Sequence, residues 1–110
     1  MTKIVYNATF GGFNLSDEGA YRYAELKNIS LYKDGIFGQF FSGGNFFTLI
    51  DVARTDPILI QVIEELGEKA NTPLSKLKII DLPSGTKYII NEYDGLETVM
   101  TIDDFDWKIA

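Results

Sequence analysis

Neither cysteine nor histidine occurs among the 110 residues of this chain. Without cysteine there is no disulfide staple, no thiolate nucleophile and no thiolate metal ligand; without histidine the commonest general base and a leading zinc ligand are missing. The remaining chemistry would run on carboxylates, carboxylate-bound magnesium or calcium, or a lysine nucleophile, and none of these shows a recognisable spacing. The expectation is a protein that binds rather than an enzyme, with no catalytic residue, metal or cofactor assigned.

Long apolar runs are lacking too. None approaches the roughly 18 to 20 residues of a membrane span, and Met1-Thr2-Lys3-Ile4 offers no basic region leading into an apolar stretch. The chain reads as soluble, unexported and without a membrane partner. Positive charge is scarce: ten Lys and Arg stand against sixteen Asp and Glu, a formal net charge of −6. Direct nucleic-acid binding needs clustered cations and is disfavoured. A small anionic ligand held by one or two arginines is not, and the chain has two, Arg22 and Arg54. Acidity keeps a small protein in solution, and it also suits attraction to a basic partner or mimicry of DNA.

Apolar residues are plentiful, at 45% hydrophobic and 14% aromatic, which is ample for one core at this length. Residues 1–110 read as a single α+β domain of antiparallel sheet meanders with two helices. Lys3 to Ala8 is a predicted strand, Gly11-Gly12 a break, and Ser16 a predicted N-cap for a helix from Asp17 to about Asn28. Along it Ala20, Tyr23, Ala24 and Lys27 share a face, while Tyr21 and Arg22 point elsewhere. Ile29 to Val52 reads as three short strands turning at Asp34-Gly35 and at Ser42 to Asn45. Thr55 or Asp56 can cap a second helix, with Pro57 in its first turn and an apolar stripe running to about Ala70. Lys76 to Leu82, Thr86 to Asp94 and Leu96 to Thr101 form a second predicted meander, followed by a tail with Asp103, Asp104, Asp106, Phe105 and Trp107. Those aspartates lack the spacing of a calcium loop.

Three clusters are candidates for function, each with a plainer reading beside it. Phe10-Gly11-Gly12-Phe13 combines a close backbone approach with two stacking faces, or is a turn whose rings are ordinary core. Arg54 stands just before a helix N-terminus, where free N–H groups favour an anion; alternatively it pairs with Asp51 or Asp56. Asn91 and Tyr93 share a strand face beside the Asp94-Gly95 turn, an amide and a phenol that suit an adenine edge, or a solvated strand. With Arg22, the candidate ligand contacts are Phe10, Phe13, Arg22, Arg54, Asn91 and Tyr93.

Lys3-Ile4-Val5-Tyr6-Asn7, Gly11-Gly12-Phe13 with Leu15-Ser16, Arg54-x-Asp56-Pro57, Glu64-Glu65-Leu66-Gly67, Leu77-Lys78-Ile79 and Glu92-Tyr93-Asp94-Gly95 follow one another along most of the chain. In this set the sequence resembles small phage proteins and, through them, the first Thoeris anti-defence family of signal-sequestering sponges. That resemblance implies a counter-defence protein of the bacterial host cytoplasm that encloses a cyclic ADP-ribose-like nucleotide signal without cleaving it. It implies Arg54 on the pyrophosphate, Phe10 or Phe13 on adenine, and Asn91 on a base or ribose. A domain this small seldom encloses a nucleotide alone, so a homodimer or higher homo-oligomer is expected. Arg54→Ala is expected to weaken binding without unfolding the domain. The alternative is an acidic nucleic-acid mimic that binds and inhibits a host nuclease or CRISPR effector.

Overall fold

The computed structural model describes residues 1–33, 35, 40–42, 45–49 and 52–101. The expected tail from Ile102 onward and the turn residues Asp34, Gly43 and Gly44 lie outside them. The chain is an α+β domain in which every strand pairing among the described residues is antiparallel. Its elements run β1 (Thr2–Asn7), α1 (Asp17–Lys27), β2 (Tyr32–Lys33), β3 (Phe40–Ser42), β4 (Asn45–Phe46), α2 (Pro57–Leu66), a 3-10 turn (Gly67–Ala70), β5 (Leu77–Leu82), β6 (Tyr88–Tyr93) and β7 (Leu96–Thr101). No helix among the described residues is long and apolar enough to cross a membrane.

Both helices start where the sequence places their caps. The Ser16 hydroxyl accepts from the Gly19 N–H, and the Asp56 carboxylate accepts from the N–H groups of Ile58 and Leu59. Of the two capping candidates before α2, Asp56 is the one used. Each helix ends on a residue with positive φ, Asn28 at 57° and Gly67 at 56°, so the second helix stops at Leu66 and the chain continues to Ala70 as a tighter turn. Tyr23 of α1 and Leu59, Val62 and Ile63 of α2 face one core with Val5, Leu15, Leu49, Ala70 and Leu77.

The polar faces of the helices are joined rather than merely solvated. Arg22 reaches across from α1 to Glu65 with Nε at 2.8 Å and Nη2 at 3.1 Å, and holds Glu25 at 2.6 Å. Lys27 pairs with Asp56 at 3.0 Å, where the Tyr23 hydroxyl also meets that carboxylate at 3.3 Å. Glu64 ties α2 to β1 through Lys3 at 3.0 Å.

The region from Ile29 to Val52 contains a three-stranded meander as expected, in the order β2-β3-β4, with strands of only two or three residues. The second expected meander is not formed. β5 pairs with β1 in the register Val5↔Ile79, while β6 and β7 make a separate hairpin. The reason is burial: pairing β5 with β1 brings Leu77 and Val5 together under the helices, whereas β6 is exposed along most of its length and would contribute little core. The Asp94-Gly95 turn of that hairpin is as read, with φ of 52° and 89° at its two central residues, the left-handed pair of a type I′ turn.

Candidate functional site

Segments far apart in the chain converge where β1 ends. Asn7 is fully buried there, and its side chain serves three backbones. Its Nδ2 donates to the carbonyls of Thr9 at 2.9 Å and Gly95 at 2.8 Å, while its Oδ1 accepts from the Lys76 N–H at 2.8 Å. The backbone of the glycine loop then crosses the hairpin turn: the Gly11 N–H donates to the Asp94 carbonyl at 3.0 Å, and the Gly12 N–H to the Leu74 carbonyl at 3.1 Å. This is a close approach that Gly11 permits, since a Cβ there would fall 2.1 Å from the Leu74 carbonyl oxygen.

Arg54 lies at the same junction, and its partner is Glu97 of β7 rather than Asp56; Asp51, the other expected partner, lies outside the described residues. The guanidinium donates to both carboxylate oxygens, Nη1 to Oε1 at 2.6 Å and Nη2 to Oε2 at 2.8 Å, while Nη1 also reaches the Val5 carbonyl at 3.3 Å. Its flat face stacks on the Phe13 ring, 3.6 Å from the centroid. Burial pushes the Glu97 carboxyl up, but Arg54 and the Asn7 N–H outweigh it and hold it below its ordinary value. The anion expected at Arg54 is therefore supplied by the protein itself, and Asp56 supplies the one expected at the start of α2. Removing Arg54 would leave the 7% exposed Glu97 without its counter-charge, so Arg54→Ala is expected to cost stability as well.

Phe13 also walls a cleft of about 400 Å³, together with Gly12, Asn14, Phe40, Phe47 and Thr72. Each of these phenylalanines is held by a neighbouring side chain. Arg54 stacks on Phe13, Tyr21 meets Phe40 edge-on at 5.2 Å, and Tyr23 lies against Phe47 at 5.5 Å. Rings braced this way present fixed faces at little entropic cost on binding. A second cleft of about 460 Å³ adjoins the first through Gly12, Asn14 and Thr72 and is otherwise lined by Gly11, Pro73 and Leu74. Both fall within the volume range of small-molecule sites.

Of the six residues read from the sequence, Phe13 and Arg54 meet at the cleft wall. Phe10 and Tyr93 meet elsewhere, edge-to-face at 6.5 Å on the surface of the hairpin turn, 56% and 76% exposed. Arg22 is taken up by Glu65 and Glu25, and Asn91 stands exposed on β6 opposite Thr98. Phe40, Phe47, Thr72 and Glu97 were not singled out in the sequence. The two phenylalanines sit in an aromatic run that reads equally well as strand core, and nothing in the spacing of Glu97 points to an arginine 43 residues earlier. Among the described residues, no group of three or more Asp or Glu side chains is placed to hold a metal ion.

The carboxylates that clamp this fold make its acid response predictable. Arg22, and then Gln61, hold Glu65 down to about 2, against an ordinary 4.5. Burial raises Asp56, but Lys27 and the N–H groups of Ile58 and Leu59 bring it below 3.8. Glu97 is lowered likewise. A carboxylate with a folded-state pKa below its unfolded value stabilises fully above the unfolded value, and that contribution is lost as pH falls through the folded one. With no histidine to titrate, thermal midpoints are expected to hold level from about pH 8 to about pH 5 and to drop steadily toward pH 2. Melting followed by circular dichroism across that range checks it; a midpoint that rises on acidification would contradict the assignment.

Compared with protein-family models, curated proteins and solved structures, the chain matches none.

Proposed function

We propose that this chain is a phage counter-defence protein that works by binding: it takes up a cyclic ADP-ribose-like nucleotide signal in the bacterial cytoplasm and holds it without cleaving it. The observation that carries this reading is the cleft at the glycine loop, about 400 Å³ in volume, with Phe13, Phe40 and Phe47 on its walls. A base stacks on rigid aromatic faces, and Asn14, Thr48 and Thr72 offer polar atoms around them. The ordered set of motifs in which the sequence resembles small phage proteins and, through them, the sponge family supports the same reading. A second copy of the chain, in a homodimer or higher homo-oligomer, completes the enclosure.

The test is to mix purified protein with cyclic ADP-ribose isomers, measure the thermal midpoint, then heat-denature the complex and analyse the supernatant. A raised midpoint with intact ligand recovered is expected. No shift with any isomer would end the reading, and a cleaved product would make the protein an enzyme.

Phe10 and Tyr93 favour a second reading, an acidic inhibitor that docks on a basic host nuclease or CRISPR effector. Exposed aromatic rings at a hairpin turn are the kind of anchor that protein interfaces use, and Leu74, 68% exposed, lies against the same glycine loop. Capture of a host partner that is lost at high salt and by Tyr93→Ser would support it over the nucleotide reading.

A further inference from the structure

The cleft needs a cation if its ligand carries a phosphate, and Arg54 is held by both oxygens of Glu97. Lys33 is placed differently. It is the cross-strand partner of Phe40, so both side chains stand on the same face of the β2-β3 ladder, and its ammonium lies 5.7 Å from the Phe40 ring centroid. Its counter-ion is Asp17, 2.6 Å away. Phe40 and Asp17 both line the cleft, and Lys33 touches both without itself being part of the lining.

The two ion pairs differ in how readily they exchange. The Arg54–Glu97 pair is bidentate, and Glu97 is 7% exposed, so freeing that guanidinium would strand a buried charge. Lys33 and Asp17 are 39% and 59% exposed and share a single contact. An exposed pair of this kind contributes little to stability. Asp17 released from it stays in water, and an ammonium is a point charge whose three donors accept a phosphate from any direction.

We propose that Lys33 is the anion-recognising residue of the cleft, exchanging Asp17 for a phosphate of a nucleotide whose base stacks among Phe13, Phe40 and Phe47. The proposal rests on the cleft being a nucleotide site. It assigns the charge-reading role to a lysine rather than to either arginine. Asp17 acts as an internal competitor: it occupies the ammonium in the empty cleft and repels an anion that binds without displacing it.

The test is calorimetric titration of adenosine and AMP into the wild type, Lys33→Gln and Asp17→Asn. Adenosine is expected to bind all three proteins, which also reports that the variants are folded. AMP is expected to bind the wild type about tenfold more tightly than adenosine, a gain that Lys33→Gln abolishes and Asp17→Asn increases. Raising the salt should weaken AMP and leave adenosine unaffected. Equal AMP affinity in the wild type and Lys33→Gln, with adenosine still binding, overturns the role of Lys33 and spares the cleft. If neither probe binds the wild type, the nucleotide reading of the cleft fails, and this proposal with it.

Discussion

Arg54→Ala is expected to lower the unfolding free energy by about 3 kcal/mol, the cost of leaving a desolvated carboxylate unpaired, discounted because the arginine side chain keeps 26% exposure. Part of the loss is the stacked contact with Phe13, which is worth about 1 kcal/mol in such a setting. The ionic part separates from the rest in a double-mutant cycle with Glu97→Gln. That substitution removes the charge and keeps an amide oxygen for the Asn7 N–H, so Arg54→Ala in the Glu97→Gln background should cost clearly less than in the wild type. Urea unfolding of the four proteins measures the coupling, and a value near zero would show that the pair contributes nothing. Arg54→Lys should fall between, since an ammonium restores the charge without the two-pronged geometry. Because Arg54 links the approach to α2, β1 and β7, the variant is also expected to loosen the hairpin first, seen as faster amide exchange in β7 than in α2.

Gly95→Ala should be as damaging for a different reason, and the protein contains its own control. Gly95 and Gly85 have the same φ of 89°, which an alanine adopts only with strain. At Gly85 an added Cβ meets nothing within 4 Å, whereas at Gly95 it would fall 2.1 Å from the Gly11 carbonyl oxygen and 2.3 Å from its carbon. Gly85→Ala is therefore expected to cost about 1 kcal/mol, the left-handed strain alone. Gly95→Ala adds the separation of the hairpin from the glycine loop, about 3 kcal/mol or more in total, as overpacking against backbone does. Chemical denaturation of both variants side by side decides it; equal losses would mean that the crossing relaxes easily. Gly11→Ala should behave like Gly95→Ala, with φ of 130° and a Cβ 2.1 Å from the Leu74 carbonyl oxygen. Since Gly11 and Gly12 line the clefts, a nucleotide ligand should be lost along with the stability in that case.

Much of the local architecture was legible without coordinates. Ser16, Asp56 and Pro57 announce helix starts because the groups that satisfy free N–H donors lie within three residues of them. Asp94-Gly95 announces its turn because the needed dihedrals belong to those two residues alone. The lack of histidine and cysteine, the acidic balance and the apolar stripe of α2 are likewise properties of composition and spacing. What they determine is an α+β chain with two capped helices, a glycine break and a tight hairpin.

Only the tertiary structure decided which strands pair and which charges meet. The partner of β5 is β1, 70 to 80 residues earlier in the register Asn7↔Leu77 to Thr2↔Leu82, because that pairing buries Val5 and Leu77 under both helices at once. No periodicity within either strand encodes this choice. The same holds for Arg54: its local sequence offers a helix start and nearby aspartates, yet the carboxylate that closes on it comes from a hairpin that the fold brings alongside β1. Phe13, Phe40 and Phe47 become one wall only when the glycine loop, the small meander and the segment after it are packed together. A site made of long-range contacts is set by how surfaces bury against one another, and that balance is a property of the whole chain rather than of any stretch of it.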